Sequence, residues 1–223
     1  MASGIADVRR ASRVPAVFAK HGFGYFIHDL GLRMHLPFHR RLLLNTKKPS
    51  DLPVRMRKAF EDLGATYIKL GQLLSLRPDL VPPSFADEFK KLQDSVRPFP
   101  YDKVLDVIET DLNKPAHKIF SSIDKHPVGS ASVAQVHKAR LKDGKDIVIK
   151  VQRPGIEQLF SADIDIMKFL ARQIEKKKNA AIPATKIVKE FEGYTARELN
   201  FLTEAGQIAA FYERFKDSKR IKV

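Results

Sequence analysis

Apolar residues recur at helical spacing in the stretch that follows residue 50. Ser50 and Asp51 are candidate N-cap residues, and Pro53 suits the first helical turn because its missing N–H needs no partner there. Apolar positions then keep a helical period from residue 54 to residue 76, and a proline at position 78 ends it. The pattern predicts one long helix over residues 54–76.

Two more helices are predicted in the same part of the chain. One begins at Ser84, where Asp87 completes an approximate capping box, and the next spans residues 101–112. Residues 50–118 are therefore predicted to be entirely helical.

The hydrophobic pattern changes to short β-branched runs at residue 119. Residues 119–123, 133–141 and 147–151 are predicted strands, and the last two flank Asp143-Gly144, a dipeptide typical of a tight β-hairpin. The helical period then returns, and a final helix is predicted over residues 185–215. The fold class is therefore α+β, with a small antiparallel sheet between helical regions.

The first 49 residues mix basic side chains with an apolar stretch. Residues 14–38 predict one or two short amphipathic helices, rich in aromatic residues and suited to lying on acidic lipid. Packing against the rest of the protein is an equally weighted alternative, because three glycines weaken a continuous helix. We divide the chain into a basic amphipathic segment at 1–49, a helical extension at 50–118 and a sheet-containing unit at 119–223.

The charge balance narrows the classes of partner. Lys and Arg number 40 against 26 Asp and Glu, a formal net charge of +14, so nucleic acid, acidic lipid head groups and nucleotide phosphates would all be attracted. The chain has no Trp and five Tyr, and this scarcity of stacking residues disfavours nucleic acid. It also has no cysteine, which excludes disulfides and cysteine metal sites.

Histidines near the N-terminus do not predict a metal site. His21, His28 and His35 are spaced by seven residues, which is about 10 Å along a helix and too far for one ion. Pro37 separates His35 from His39. We therefore assign no metal ligand.

A run of small residues lies between the first predicted strands. Small side chains let backbone N–H groups approach an anion closely. Four positions fall in register with the glycine-rich loop of kinases, with alanine in two glycine positions, and Lys150 ends the following strand where kinases have a lysine. The alternative is an ordinary hairpin whose small residues ease packing. The four positions in register are Gly129, Ala131, Ala134 and Val136.

Two further polar clusters lie on predicted helices. Lys69 and Gln72 are three residues apart and share a helix face, and Gly71 between them allows a close approach. The alternative is a solvated lysine beside a glycine required for helix packing.

The second cluster lies on the predicted final helix. Asn200 and Glu204 are four residues apart and share one face, whereas Glu198 points elsewhere. Surface charge on an amphipathic helix is the alternative.

Together these motifs resemble the UbiB (aarF-type, coenzyme Q-linked) atypical kinase-like family. A Lys-x-Gly-Gln helix precedes the sheet, an alanine-rich loop replaces the glycine-rich one, and acidic residues follow on the equivalent of helix C. The resemblance covers residues 54–215. It implies a helical N-terminal extension followed by a protein-kinase-like N-lobe with a small antiparallel sheet and helix C.

The resemblance also implies residue roles. Lys150 would contact the α- and β-phosphates of a nucleotide, and Glu204 would be its ion-pair partner. The loop implied to cover the phosphates comprises Val128, Gly129, Ser130, Ala131, Ser132, Ala134 and Val136. The residues implied to regulate the site from the extension and its partner helix are Lys69, Gly71, Gln72, Glu198 and Asn200.

Function and location follow from the same resemblance as expectations. The implied cofactors are ATP or ADP with Mg²⁺. The implied role is that of the nucleotide-binding N-terminal half of an atypical kinase or ATPase that supports ubiquinone (isoprenoid-lipid) biosynthesis at a membrane. Expected partners are an anionic membrane surface or isoprenoid lipid and quinone-biosynthesis proteins, with a cytoplasmic location peripheral to the inner membrane or its organellar equivalent. The alternative function is a non-catalytic basic module that binds acidic membrane or nucleic acid.

Two departures from the family pattern affect these expectations. Asn200 stands where the family has Asp, which removes a negative charge and weakens an inferred salt bridge to Lys69. The sequence ends soon after helix C, without the catalytic-loop and metal-binding residues of a C-lobe. We therefore expect this polypeptide to be inactive alone.

Overall fold

The computed structural model describes residues 2–24, 51–92, 96–176 and 183–221, with side chains described from residue 9 onward. Residues 25–38 of the predicted amphipathic stretch, with His28 and His35, lie outside the described residues, as do His39 and Ser50. None of the helices in these ranges combines the length and apolar character that a bilayer crossing needs.

Helices precede and follow a small sheet. The helices are α1 (Ala2–Lys20), α2 (Leu52–Leu63), α3 (Ala65–Ser75), α4 (Pro83–Lys90), α5 (Tyr101–Leu112), α6 (Ala116–Ile119), α7 (Ile156–Glu175), α8 (Ala184–Leu199) and α9 (Phe201–Phe215). The strands are β1 (Phe120–Ile123), β2 (Gly129–Ser130), β3 (Ala134–Leu141) and β4 (Asp146–Gln152). The predicted helix at 101–112 is confirmed.

Three predicted helix features are wrong. The helix expected over 54–76 breaks at Gly64, whose φ of 94° is a backbone conformation that residues with a Cβ rarely adopt. The apolar period continues through the break, so periodicity alone does not reveal it. The capping box at Ser84 is absent because α4 begins at Pro83, after Pro82, without a side-chain cap. Residues 96–100, expected to be helical, have no regular secondary structure.

A fourth correction concerns the end of the described chain. The final helix expected over 185–215 is two helices, α8 and α9, separated at Asn200. Asn200 has φ −87° and ψ 86°, which are not helical angles. The direction of the chain therefore changes between Glu198 and Glu204.

Strand β3 is the centre of an antiparallel sheet. It pairs with β1 and β2 along one edge and with β4 along the other. The β3–β4 hairpin turns at Asp143-Gly144 as predicted, and Gly144 adopts a φ of 88°. Strand β2, only two residues long, was not predicted, because so short a run carries no alternation.

Two large hydrophobic clusters form most of the core among the described residues. One contains side chains from α1, α2, α7 and α8, for example Val14, Phe60, Ile164 and Phe191. The other lies between α5 and the sheet. It includes Val104 of α5 and buried side chains of β1, β3 and β4. The first cluster thus contains residues from all three predicted regions, and the division at residues 49 and 118 stays a prediction.

A buried ion pair fixes α1 to this core. The Arg10 guanidinium donates to both carboxylate oxygens of Asp163 on α7, at 2.6 and 2.8 Å, and to the Leu63 carbonyl at 2.8 Å. The Asp163 side chain is fully buried and that of Arg10 is 8% exposed. Buried charges are tolerated when they are paired and hydrogen-bonded in this way.

We predict that Asp163→Ala lowers the free energy of unfolding by about 3–5 kcal/mol, because it leaves a buried guanidinium without its counter-ion. Urea unfolding measures the change. The matched control is Asp146→Ala, which removes the solvent-exposed pair with Arg140 and is expected to change stability little. Equal effects of the two substitutions would contradict a structural role for the Arg10–Asp163 pair.

Candidate nucleotide site on the sheet

Lys150 near the end of β4 forms an ion pair with the helix that follows the break at Asn200. Its Nζ lies 2.5 Å from Glu204 Oε2 and 4.6 Å from the centre of the Phe201 ring. Both charged side chains remain accessible, at 41% and 46% exposure. An exposed pair of this kind adds little stability, so its ammonium group is available to an anionic ligand.

The strand register aligns three predicted site residues. Gly129 of β2 pairs with Val136 of β3, and Val136 pairs with Lys150 of β4. Directly opposed residues in a sheet project from the same face. The glycine, the valine and the lysine therefore form one row across the sheet. The neighbouring residue Val151 points the other way and is buried against α5.

The alanine-rich loop closes this row as a compact hairpin. The Val128 N–H donates to the Val136 carbonyl at 2.8 Å, and the Ala131 N–H donates to the Ala134 carbonyl at 2.7 Å. Ser132 and Ala134 are buried, whereas Val128 is exposed. Ser130 Oγ is buried and has no hydrogen-bond partner among the described residues. Ser130 pairs with Gln135, which pairs with Val151, so its side chain projects from the face opposite to the row of Gly129, Val136 and Lys150.

A cleft of about 620 Å³ lies beside Lys150, between α5, β4 and the junction of α8 with α9. This volume falls within the range of about 300–1,000 Å³ that is usual for small-molecule sites. The side chains around it are largely apolar. The apolar ones include Ile108, Leu112, Ile149, Leu199 and Phe201, and the polar ones include Asp111, Gln152 and Glu157.

Asn200 acts as the N-cap of α9. Its Oδ1 accepts a hydrogen bond from the Thr203 N–H at 3.1 Å. The sequence predicted that Asn200 and Glu204 share a face of one continuous helix. That prediction is wrong, because the helix of Glu204 begins only after Asn200. Asn and Asp are both strong N-cap residues, so an amide at this position keeps the cap that begins the helix of Glu204.

Lys69 is paired with Glu198 and is largely buried. The ammonium group on α3 contacts Glu198 Oε2 on α8 and lies 5.0 Å from the centre of the Tyr194 ring. The pKa of the Tyr194 phenol is raised by its hydrogen bond to Glu198, by the negative charge of that carboxylate and by burial. The carboxylate partner of Lys69 is thus Glu198, and the salt bridge inferred at position 200 is not needed.

Gly71 and Gln72 contact Leu92, a different part of the chain from the Glu198 that pairs with Lys69. A Cβ at Gly71 would collide with the Leu92 side chain and crowd the Phe60 ring. Gln72 Nε2 donates to the Leu92 carbonyl at 3.3 Å. Close packing against Leu92 and Phe60 therefore explains the glycine.

The predicted site residues thus fall into two groups. One is the row on the sheet with Glu204, and the other is the contact between α3 and α8 through Lys69 and Glu198. Gln152 Nε2 donates to the Leu199 carbonyl at 2.9 Å and ties β4 to the end of α8. The break at Asn200 directs the two glutamates to these different groups.

The ABC1 atypical kinase-like domain matches residues 91–223 of the chain. The chain belongs to the ABC1 atypical kinase-like family. The UbiB-type resemblance is thereby confirmed, and so is the α+β fold with a helical extension and a small antiparallel sheet.

Relatives match this ABC1-family chain over nearly its whole length. A probable protein kinase UbiB of Pseudomonas putida is 37% identical over 97% of this chain and 42% of its own length. An uncharacterised protein in the hydrogenase 1 5′ region of Clostridium pasteurianum is 36% identical over 97% of this chain and 38% of its own length. The chain therefore spans about two-fifths of the length of these relatives.

Among solved structures, the chain is similar to the Rv3197–erythromycin complex from Mycobacterium tuberculosis. The identity is 27% and the TM-score 0.47, over 76% of this chain and 44% of that one.

Arg153 is a site residue of this ABC1-family chain that sequence reasoning missed. It follows β4 directly and bonds to the carbonyl oxygens of Ala131 and Ser132 in the alanine-rich loop. Because its partners are backbone atoms more than twenty positions away, no residue pattern marks it. Its place just before Pro154 is the only local signal.

Proposed function

We propose that the sheet row and its loop bind the phosphates of an adenine nucleotide, ATP or ADP. The observation that carries this proposal is the Lys150–Glu204 pair, aligned with Val136 and Gly129 by the strand register. An accessible cation and a loop of small residues together suit a polyanion. Membership of an atypical kinase-like family supports the same ligand.

Each residue has a distinct part in this proposal. Lys150 would bind the α- and β-phosphate oxygens, while Glu204 keeps the ammonium group oriented over the sheet. The small side chains of the loop would allow backbone N–H groups to approach the phosphates. Mg²⁺ would enter with the phosphates and neutralise part of their charge, and we assign no described residue to it.

We also propose a setting at an anionic membrane surface, in isoprenoid-lipid (ubiquinone) metabolism alongside quinone-biosynthesis proteins. The lipid context is what the resemblance to UbiB-type proteins implies, and the chain is similar to relatives named probable protein kinase UbiB. The net charge of the chain supports binding to an anionic membrane surface, because pairing every acidic residue would still leave 14 basic ones. Co-flotation of the chain with phosphatidylglycerol vesicles, weakened by salt, is the expected result. Equal flotation with purely phosphatidylcholine vesicles would contradict an electrostatic membrane site.

We predict that Lys150→Ala abolishes the stabilisation of the protein by ATP or ADP. A ligand at one hundred times its Kd raises the free energy of unfolding by about 2.7 kcal/mol, and this increment should be lost with the ammonium group. Thermal unfolding with and without Mg²⁺-nucleotide measures it.

The matched control is Lys145→Ala, which removes an exposed lysine from the turn of the same hairpin. It should leave the nucleotide response intact. Nucleotide stabilisation that survives Lys150→Ala would refute the site. A response lost equally in both variants would point instead to general attraction by the basic surface.

A further inference from the structure

We propose that Arg153 is a positioning residue for the alanine-rich loop. Its guanidinium group holds the carbonyl groups at the tip of the loop against residues 96–99, here called the connector, and so sets the affinity of the loop for phosphate. This inference rests on the proposed nucleotide function. It concerns a residue outside the row of Gly129, Val136 and Lys150.

Arg153 binds three consecutive carbonyl groups of the loop. Its backbone N–H donates to Val133 at 2.8 Å, Nε donates to Ser132 at 3.3 Å and Nη2 donates to Ala131 at 3.3 Å. The planar guanidinium group presents its donors in a fixed fork, which suits several acceptors at once. One residue therefore determines the path of the loop between β2 and β3.

The same guanidinium group is fixed on its other side by the connector. Nη2 also donates to the Arg97 carbonyl at 3.1 Å, and the guanidinium carbon lies 5.2 Å from the centre of the Phe99 ring. Burial lowers the pKa of Arg153, yet an arginine remains protonated at neutral pH. The loop is thus attached through a cation to a second segment of the chain.

The connector is in turn held by β3. The Phe99 N–H donates to Gln135 Oε1 at 3.0 Å, and Gln135 Nε2 donates to the Phe99 carbonyl at 3.3 Å. Gln135 is almost fully buried, and its amide group also lies 2.9 Å from His137 Nε2. His137 Nδ1 lies 2.7 Å from the Asp124 carbonyl, which the protonated nitrogen can reach as a donor. The anchor for Arg153 is therefore part of the sheet core.

Charge gives the contact a functional consequence. Among the described residues, no acidic side chain forms an ion pair with Arg153, whereas the arginine of β3, Arg140, is paired with Asp146. Carbonyl oxygens repel phosphate oxygens, so a cation that binds the carbonyl groups at the loop tip removes that repulsion. The uncompensated charge also makes the local potential more favourable to an anion.

The test compares Arg153→Ala and Arg153→Lys with the control Arg140→Ala in the full chain. Titration calorimetry with Mg²⁺-ADP and Mg²⁺-ATP should show Kd raised about tenfold by Arg153→Ala, the equivalent of losing one or two charge-assisted hydrogen bonds. Arg153→Lys should recover at most part of this loss, because a point charge cannot bridge the same carbonyl groups. Arg140→Ala should bind nucleotide like the wild type.

Amide hydrogen exchange of residues 129–134 in the absence of nucleotide supplies a second readout. Exchange should accelerate in both Arg153 variants while β4 stays protected, which separates loss of loop position from general unfolding. If Arg153→Ala does not fold, the nucleotide Kd and the loop exchange are both measured on Arg153→Lys.

The outcomes separate this inference from the proposed function. Wild-type protein that binds nucleotide, together with an unchanged Kd in the Arg153 variants, would overturn the inference and leave the nucleotide site standing. Wild-type protein that binds no nucleotide would refute the proposed function, and with it the effect on affinity. Unchanged loop exchange in the variants would overturn the positioning role in either case.

Discussion

The register of β3 with its two neighbours is the constraint on which the candidate site depends. Side chains alternate between the faces of a strand, so a shift of one residue would move Lys150 to the face that packs on α5. The tight turn at Gly144 fixes the pairing of β3 with β4, because its φ of 88° suits glycine. Val136 and Gly129 then lie in line with the lysine. A local turn thus determines which charged side chain lies on the face of the candidate site.

Ion pairs of two kinds join helices that precede the sheet to helices that follow it. Arg10 and Asp163 are buried and bonded through two hydrogen bonds, so they hold α1 in place. Lys69 and Glu198 join α3 to α8 close to the break at Asn200. That break sends Glu198 towards the extension and Glu204 towards the sheet. The extension and the proposed nucleotide site therefore share one helix junction, which offers a physical route for one to influence the other.

Local signals made much of this architecture predictable. Helix α5 and the β3–β4 hairpin follow from patterns within a dozen residues, and Lys150 with Glu204 was paired through a family resemblance. The helix breaks at Gly64 and Asn200 were not predicted, because apolar periodicity continues through both. Arg153 was missed for another reason, since its partners are distant backbone carbonyl groups that no side-chain pattern encodes. Long-range contacts to the main chain are the part that required the structure.

The central claim is that Lys150 is the lysine nearest to bound nucleotide phosphates. An acyl-phosphate derivative of ATP transfers its acyl group to a lysine beside the phosphates, and mass spectrometry then locates the modified residue. The account predicts that modification concentrates on Lys150 and is suppressed by excess ATP or ADP. Modification spread over the many exposed lysines, insensitive to competing nucleotide, would contradict it.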